Sequence, residues 1–170
     1  MLIRSFGLFW RASEVNWNPG KGVKAGFRLL GRRGTNSPGV QIADFRHQQG
    51  IYILYGNYGA YYVGLTRKQG LGKRLKDHLT DKHAGLWDRF SWFGFCATLK
   101  PDKYTGLCSL KALAELSIGS PRDAIADMEA LLIKAVGPMN AVDMNFQKAS
   151  AWVQVERDET DYYLNKVQAP

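Results

Sequence analysis

Glu129 breaks the pattern of the segment around it. Ile125, Leu132, Ile133 and Val136 recur at helical spacing, and a helical wheel places Glu129 inside their apolar face. A carboxylate desolvated there without a partner costs on the order of several kcal/mol or takes up a proton. It therefore calls for a cation, either a basic side chain in an ion pair or a metal at the edge of the core. Arg74 and His78 stand four apart, so on one helix their side chains point the same way and can converge on one phosphate. The arginine would hold the anion by charge-assisted hydrogen bonds, and the histidine could move a proton near neutral pH. Taken alone the pair is equally at home on the margin of a buried stripe. Tyr52 and Tyr62 lie ten residues apart in two strand-like runs. Tyrosine is common in strands for packing alone, so their chemistry depends on whether they share a face.

These residues need elements to position them. Ile51 to Tyr55 and Ala60 to Gly64 flank the turn residues Gly56-Asn57-Tyr58-Gly59, which predicts a β-hairpin. Side chains alternate along a strand, so Tyr52 and Tyr62 share a face only if the loop holds an odd number of residues, such as Gly56 to Ala60. Leu71, Leu75 and Leu79 predict a helix from near Gly70 to about Lys82 that carries Arg74 and His78. Phe90 to Leu99 reads as a third strand. Leu107, Leu110, Leu113 and Leu116 suggest a short helix inserted within residues 101–119. Ser120-Pro121-Arg122-Asp123 has the form of a helix start, and Gly137-Pro138 stops that helix. A further strand is expected around Ala151 to Val155, followed by an acidic, solvated stretch. The pattern is that of a small α/β (α+β) protein with helices packed on a short sheet.

The combination is specific where its parts are not. Gly50-Ile51-Tyr52, Tyr62-Val63-Gly64, Arg74, His78, Glu129 and Asn140 occur in an order and spacing that resembles the GIY-YIG nuclease superfamily, over roughly residues 50–140. The resemblance implies a three-stranded antiparallel sheet flanked by helices, with the two tyrosines on the hairpin and the arginine on the first helix. It implies that Glu129 holds one divalent cation, Mg²⁺ or Mn²⁺, and that Asn140 orders the site. The division that follows is a basic N-terminal arm over 1–49, a nuclease core over 50–145 and a C-terminal extension over 146–170. Two departures stand out. Many relatives have a lysine three residues after the second tyrosine, where this chain has Leu65, leaving Lys68 and Lys73 as substitutes. Two residues are added around Gln69 to Gly72, and the four-residue step to His78 selects Arg74 over Lys73.

Phosphodiester hydrolysis needs a deprotonated water, neutralisation of phosphoryl charge and help for the leaving oxygen. On this reading Tyr52, its pKa lowered by nearby cations, takes the proton, with His78 or Tyr62 relaying or orienting it. Arg74 clamps a non-bridging oxygen, and the metal on Glu129 stabilises the phosphate. The chain has 23 Lys and Arg against 15 Asp and Glu in 170 residues, a net charge of +8, which favours a polyanionic partner. From Val15 to Ala43 the charged residues are all basic. Lys21, Lys24, Arg28, Arg32 and Arg33 read as an irregular phosphate-binding arm, joined by Lys73, or as a solvated loop. The five tryptophans are read first as packing residues. Cys96 and Cys108 are too few for a zinc cluster and read as reduced, the apolar run after Arg4 is too short for a signal or membrane segment, and a cytoplasmic protein is expected.

The function expected is metal-dependent endonuclease activity on DNA, duplex first and RNA as the alternative, in restriction or phage defence. Double-strand cleavage would need a homodimer or two sequential nicks. The rival readings are a repair or mobile-element nuclease, a non-cleaving nucleic-acid-binding module, and an adaptor whose basic arm binds an acidic protein.

Overall fold

In the hairpin that carries the tyrosines, strand β4 (Gly50–Gly56) pairs antiparallel with β5 (Gly59–Thr66) across an Asn57-Tyr58 turn. The computed structural model describes residues 2–19, 27–33, 42–66, 69–104, 106–111, 127–128, 131, 135 and 153–157. Its other strands are β1 (Ser5–Arg11), β2 (Leu30–Arg33), β3 (Ile42–Asp44), β6 (Arg89–Gly94), β7 (Thr98–Pro101), β8 (Leu107–Leu110) and β9 (Val153–Arg157). One helix, α1 (Leu71–Asp77), lies between β5 and β6. Asp127, Met128, Leu131 and Ala135 are also helical.

The nine strands follow the order β5-β4-β6-β1-β9-β2-β3-β8-β7, and β9 joins two halves, β5-β4-β6-β1 and β2-β3-β8-β7. This overturns the expected three-stranded sheet flanked by helices. β5, β4 and β6 are antiparallel neighbours, but β6 also pairs with β1, and β1 pairs in parallel with β9. The extra strands come from segments expected to lie outside the sheet. β1, β2 and β3 all fall within residues 1–49, and β8 falls where the leucine spacing suggests a helix. Leu107 to Leu110 is instead held from both sides, in parallel with β3 and antiparallel to β7. Neighbouring strands supply backbone partners on both edges, and this overrides a short helical periodicity. Residues 112–119 and the start and stop signals at Ser120, Gly137 and Pro138 lie outside the described residues.

The expected single strand from Phe90 to Leu99 is broken after Gly94. The buried Gln48 side chain explains the break: its Oε1 accepts from Cys96 N at 2.9 Å and its Nε2 donates to Cys96 O at 3.1 Å. With both backbone groups of Cys96 satisfied by one amide, the chain leaves the ladder and restarts as β7.

Two cores lie on the two faces of the β5-β4-β6-β1 half. Tyr52, Leu54, Trp10, Phe90 and Trp92 pack with Leu71 and Leu75 of α1 on one face. Ile53, Tyr55, Phe6 and Phe93 pack with Leu131 and Ala135 on the other. The alternation along β4 thus sends Tyr52 to the α1 side and its neighbours to the opposite side. Trp10, Trp17, Trp87 and Trp92 are all buried, which fits a packing role, and Trp152 lies outside the described residues. Among the described residues no helix is long and apolar enough to cross a membrane.

Candidate active site

The odd-loop condition is met in an unexpected way. The turn itself has two residues, but the register shifts between Leu54 and Tyr55: Tyr55 faces Ala60 whereas Leu54 faces Tyr62. Tyr61 is the extra residue of a β-bulge, and it restores the odd count. Without the bulge Tyr62 would oppose Ile53 and point to the other core. With it, Tyr62 follows Leu54 and Tyr52 to the α1 face, and the Tyr52 and Tyr62 rings lie 6.1 Å apart. Gly64, directly opposite Tyr52, makes room: a Cβ there would overlap the Tyr52 ring and hydroxyl.

Helix α1 brings the next two groups. Gly70 starts it with φ +78°, a conformation that favours glycine, and Leu71 and Leu75 are buried under its inner face. Arg74, half-buried, reaches the hydroxyls of Tyr52 and Tyr62. The helix is shorter than the leucine spacing predicts. It ends at Asp77, and His78 is its C-cap, where Leu79 N and Thr80 N bond three residues back, to Lys76 O and Asp77 O, both at 3.1 Å, in place of the i→i−4 ladder. That early turn brings Asp81 back beside the His78 ring.

The result is a continuous hydrogen-bonded chain. Tyr52 Oη lies 2.7 Å from His78 Nε2, and His78 Nδ1 lies 2.7 Å from Asp81 Oδ2. Asp81 Oδ1 accepts from the His83 amide at 2.8 Å, and His83 Nδ1 meets the Tyr61 hydroxyl at 3.2 Å. Trp87 Nε1 donates to His78 O at 3.2 Å and fixes the cap from behind. The His83 ring stands 4.5 Å from that of Tyr62 and 4.8 Å from that of His78.

Protonation follows from the surroundings. Desolvation pulls the Asp81 carboxyl upward, but the His83 amide and the His78 imidazole outweigh it and leave the group below its usual range. Burial pushes His78 below its ordinary value, against the pull of Asp81, so the ring is neutral near pH 7. A carboxylate can only accept, so His78 carries its proton on Nδ1, and its bare Nε2 accepts from the Tyr52 hydroxyl. Tyr52 corrects the expectation of a lowered phenol. Burial dominates the help from Arg74 and pushes it up to about 12. Its hydroxyl is therefore protonated at rest, and any base strength must come through His78. Arg74 is raised by its hydrogen bond to Tyr52 and stays charged.

Four of the expected residues, Tyr52, Tyr62, Arg74 and His78, thus come together. Glu129 and Asn140 lie outside the described residues, as do Lys21, Lys24 and Lys68. Arg28 and Arg32 are half-buried, Arg32 within strand β2, where the sequence suggests an irregular arm, and Arg33 pairs through its backbone with Val155. Lys73 is exposed and bonded to Asp77 at 3.2 Å, on the solvent side of α1. Leu65 pairs with Ile51, on the face of β5 away from Tyr62 and Gly64, and is exposed. A lysine there would point away from Tyr52.

Asp81, His83 and Tyr61 were not anticipated. A carboxylate three residues after a histidine is the sequence signal for the first of them, since side chains three apart are neighbours in helical backbone. No protein-family model, no curated protein and no solved structure matches the chain.

Proposed function

We propose that the chain is a phosphodiester-hydrolysing endonuclease of the GIY-YIG kind, acting on DNA from the cytoplasm. The observation that carries this reading is the buried Tyr52–His78–Asp81 relay with the Arg74 guanidinium against the tyrosine hydroxyls. A phenol that can pass its proton to an oriented imidazole becomes a base at the moment a water presents its own proton. Tyr52 Oη would take that proton as its hydroxyl hydrogen moves to His78 Nε2, and Asp81 would stabilise the imidazolium. The water oxygen then bonds to phosphorus as the bond to the leaving oxygen breaks; that oxygen takes a proton from solvent, and His78 returns its extra proton through Tyr52 Oη to solvent. Arg74 would bind a non-bridging phosphoryl oxygen, where a planar, permanently charged fork is suited to an anion. Tyr62 would orient the water or the phosphate. A Mg²⁺ or Mn²⁺ on Glu129 would, when bound, neutralise phosphoryl charge. Cys96 and Cys108, both buried and not joined in a disulfide, agree with a reducing compartment.

The test is the purified chain with Mg²⁺ or Mn²⁺ on supercoiled plasmid, linear duplex, single-stranded DNA and RNA in parallel. Cleavage of DNA is expected, lost in EDTA and lost by at least ~10²-fold in Tyr52→Phe, with binding retained. Binding without cleavage by the unmodified chain would leave a non-cleaving module. No binding to any nucleic acid at physiological salt would overturn the reading.

A further inference from the structure

The relay runs into a second cluster. His78, Asp81 and His83 each offer one donor atom, and these atoms lie within 4.8 Å of one another. Each imidazole also keeps one nitrogen on a tyrosine hydroxyl: His78 Nε2 on Tyr52 and His83 Nδ1 on Tyr61. Nδ1 of His78 and Nε2 of His83 are the nitrogens that no tyrosine holds, and the two rings are nearly perpendicular at an interplanar angle of 89°. Histidine ligands to metals ordinarily have their second nitrogen held in this way by an outer partner.

We propose that His78, Asp81 and His83 form a site for a nitrogen-preferring divalent cation such as Zn²⁺ or Co²⁺, and that its occupation switches the Tyr52 relay off. Two imidazoles and one carboxylate with an open fourth position are a common set for zinc, whereas Mg²⁺ prefers oxygen donors. The ion would enter between His78 Nδ1 and Asp81 Oδ2, now 2.7 Å apart. Tetrahedral bonds of about 2.0–2.1 Å require that pair to open to about 3.3 Å. Asp81 can make that movement because its side chain is 37% exposed. The buried ring of His78 need not move.

Proton positions give the functional consequence. A metal on Nδ1 takes the lone pair freed when that nitrogen loses its proton. The neutral ring then carries the proton on Nε2, so no net proton is released from the site. Nε2 changes from acceptor to donor toward Tyr52 Oη, and His78 can no longer receive the tyrosine proton. The inhibitory part of this proposal rests on the nuclease reading; the binding part does not.

The experiment separates the two. Metal-stripped full-length chain is titrated with Co²⁺, followed by its visible absorption, and with Zn²⁺, followed by calorimetry, both in excess Mg²⁺. One equivalent is expected to bind, with the histidine ring-proton NMR signals of His78 and His83 shifting together. His83→Asn and Asp81→Asn are each expected to weaken binding at least tenfold. In a plasmid-cleavage assay, one equivalent of Zn²⁺ should lower the unmodified enzyme's rate at least tenfold, reversibly by chelation. The same ion should lower the His83→Asn rate less than twofold, each protein being compared with itself. Absence of the Co²⁺ signal in the unmodified chain, or binding equal in the variants, overturns the site. Binding with undiminished cleavage overturns the switch alone. Binding by a chain that cleaves nothing keeps the site and removes the nuclease reading.

Discussion

Asp81 touches neither Arg74 nor either site tyrosine in any hydrogen bond described above, yet it decides which nitrogen of His78 is bare. Replacing its carboxylate by an amide lets the side chain donate to Nδ1 as readily as accept from it. The proton then moves to Nε2, where it faces the Tyr52 hydroxyl. Asp81→Asn is therefore expected to lower kcat by about 10²–10⁴-fold with little change in KM, the range typical of lost acid–base assistance. Asp81→Glu should recover part of the loss, which a merely structural role for the residue would not give. Steady-state cleavage kinetics on a labelled duplex read both. Leu65 supplies the contrasting case. It stands where the proposed nuclease reading would expect a lysine but lies exposed on the far face of β5, so Leu65→Lys should leave kcat within about twofold and stability within about 0.5 kcal/mol. A large gain in kcat would show that the lysine does reach the tyrosine. At this scale the sequence was a good guide to Tyr52, Tyr62, Arg74 and His78, whose types and spacing are local. It was silent on Asp81, although its three-residue spacing from His78 was readable, and on His83, which is set by the turn after α1.

Two bulges, as much as the strands, set the aromatic residues of the α1 face. In β5 the extra residue is Tyr61; in β1 the register with β6 shifts between Gly7 and Trp10, and Phe9 takes φ +54° there. Each bulge returns an aromatic residue to the α1 face, Tyr62 in one case and Trp10 in the other, because a one-residue slip reverses the alternation. The need for an odd count was legible from the spacing of Tyr52 and Tyr62, but the device was not, since a two-residue turn plus a bulge and a plain odd loop have the same length. Gly64 completes the arrangement. A methyl group at that position would overlap Tyr52, whose ring is fully buried in a close-packed core. Gly64→Ala is expected to cost about 1–3 kcal/mol, the usual penalty for overpacking, and to break the Tyr52–His78 hydrogen bond. Urea unfolding measures the first. Unchanged stability together with unchanged cleavage would show that the strand adjusts and that the close approach is not needed.

The whole molecule was the least legible level, because its sheet is built from distant partners. Ser5 pairs with Val153, Gly31 with Arg157 and Ile42 with Leu107, and no local pattern announces pairings across such separations. One consequence of closing so many aromatic residues and thiols between these strands concerns high pH. Burial raises the pKa of Tyr52, Tyr55, Cys96 and Cys108. For an acid with a raised folded-state pKa, the folded protein holds its proton after the unfolded chain has released it. The associated stability is complete below the unfolded values of 9.0 for cysteine and 10.0 for tyrosine, and it is lost as pH rises through the folded values. For Tyr52 that loss extends to about 12. The urea midpoint should therefore be flat through these groups' contribution below about pH 8 and fall steeply above about pH 9. Lysine and arginine deprotonation also contributes at the alkaline end, so the decisive comparison is internal. Tyr55→Phe removes one raised acid together with its hydrogen bond to Ala135 O at 3.2 Å. The variant should be less stable at neutral pH, and its stability should decline more shallowly above pH 10 by up to one proton's worth of slope, about 1.4 kcal/mol per pH unit. An identical alkaline slope in the two proteins would mean that Tyr55 ionises as freely in the folded sheet as in the unfolded chain.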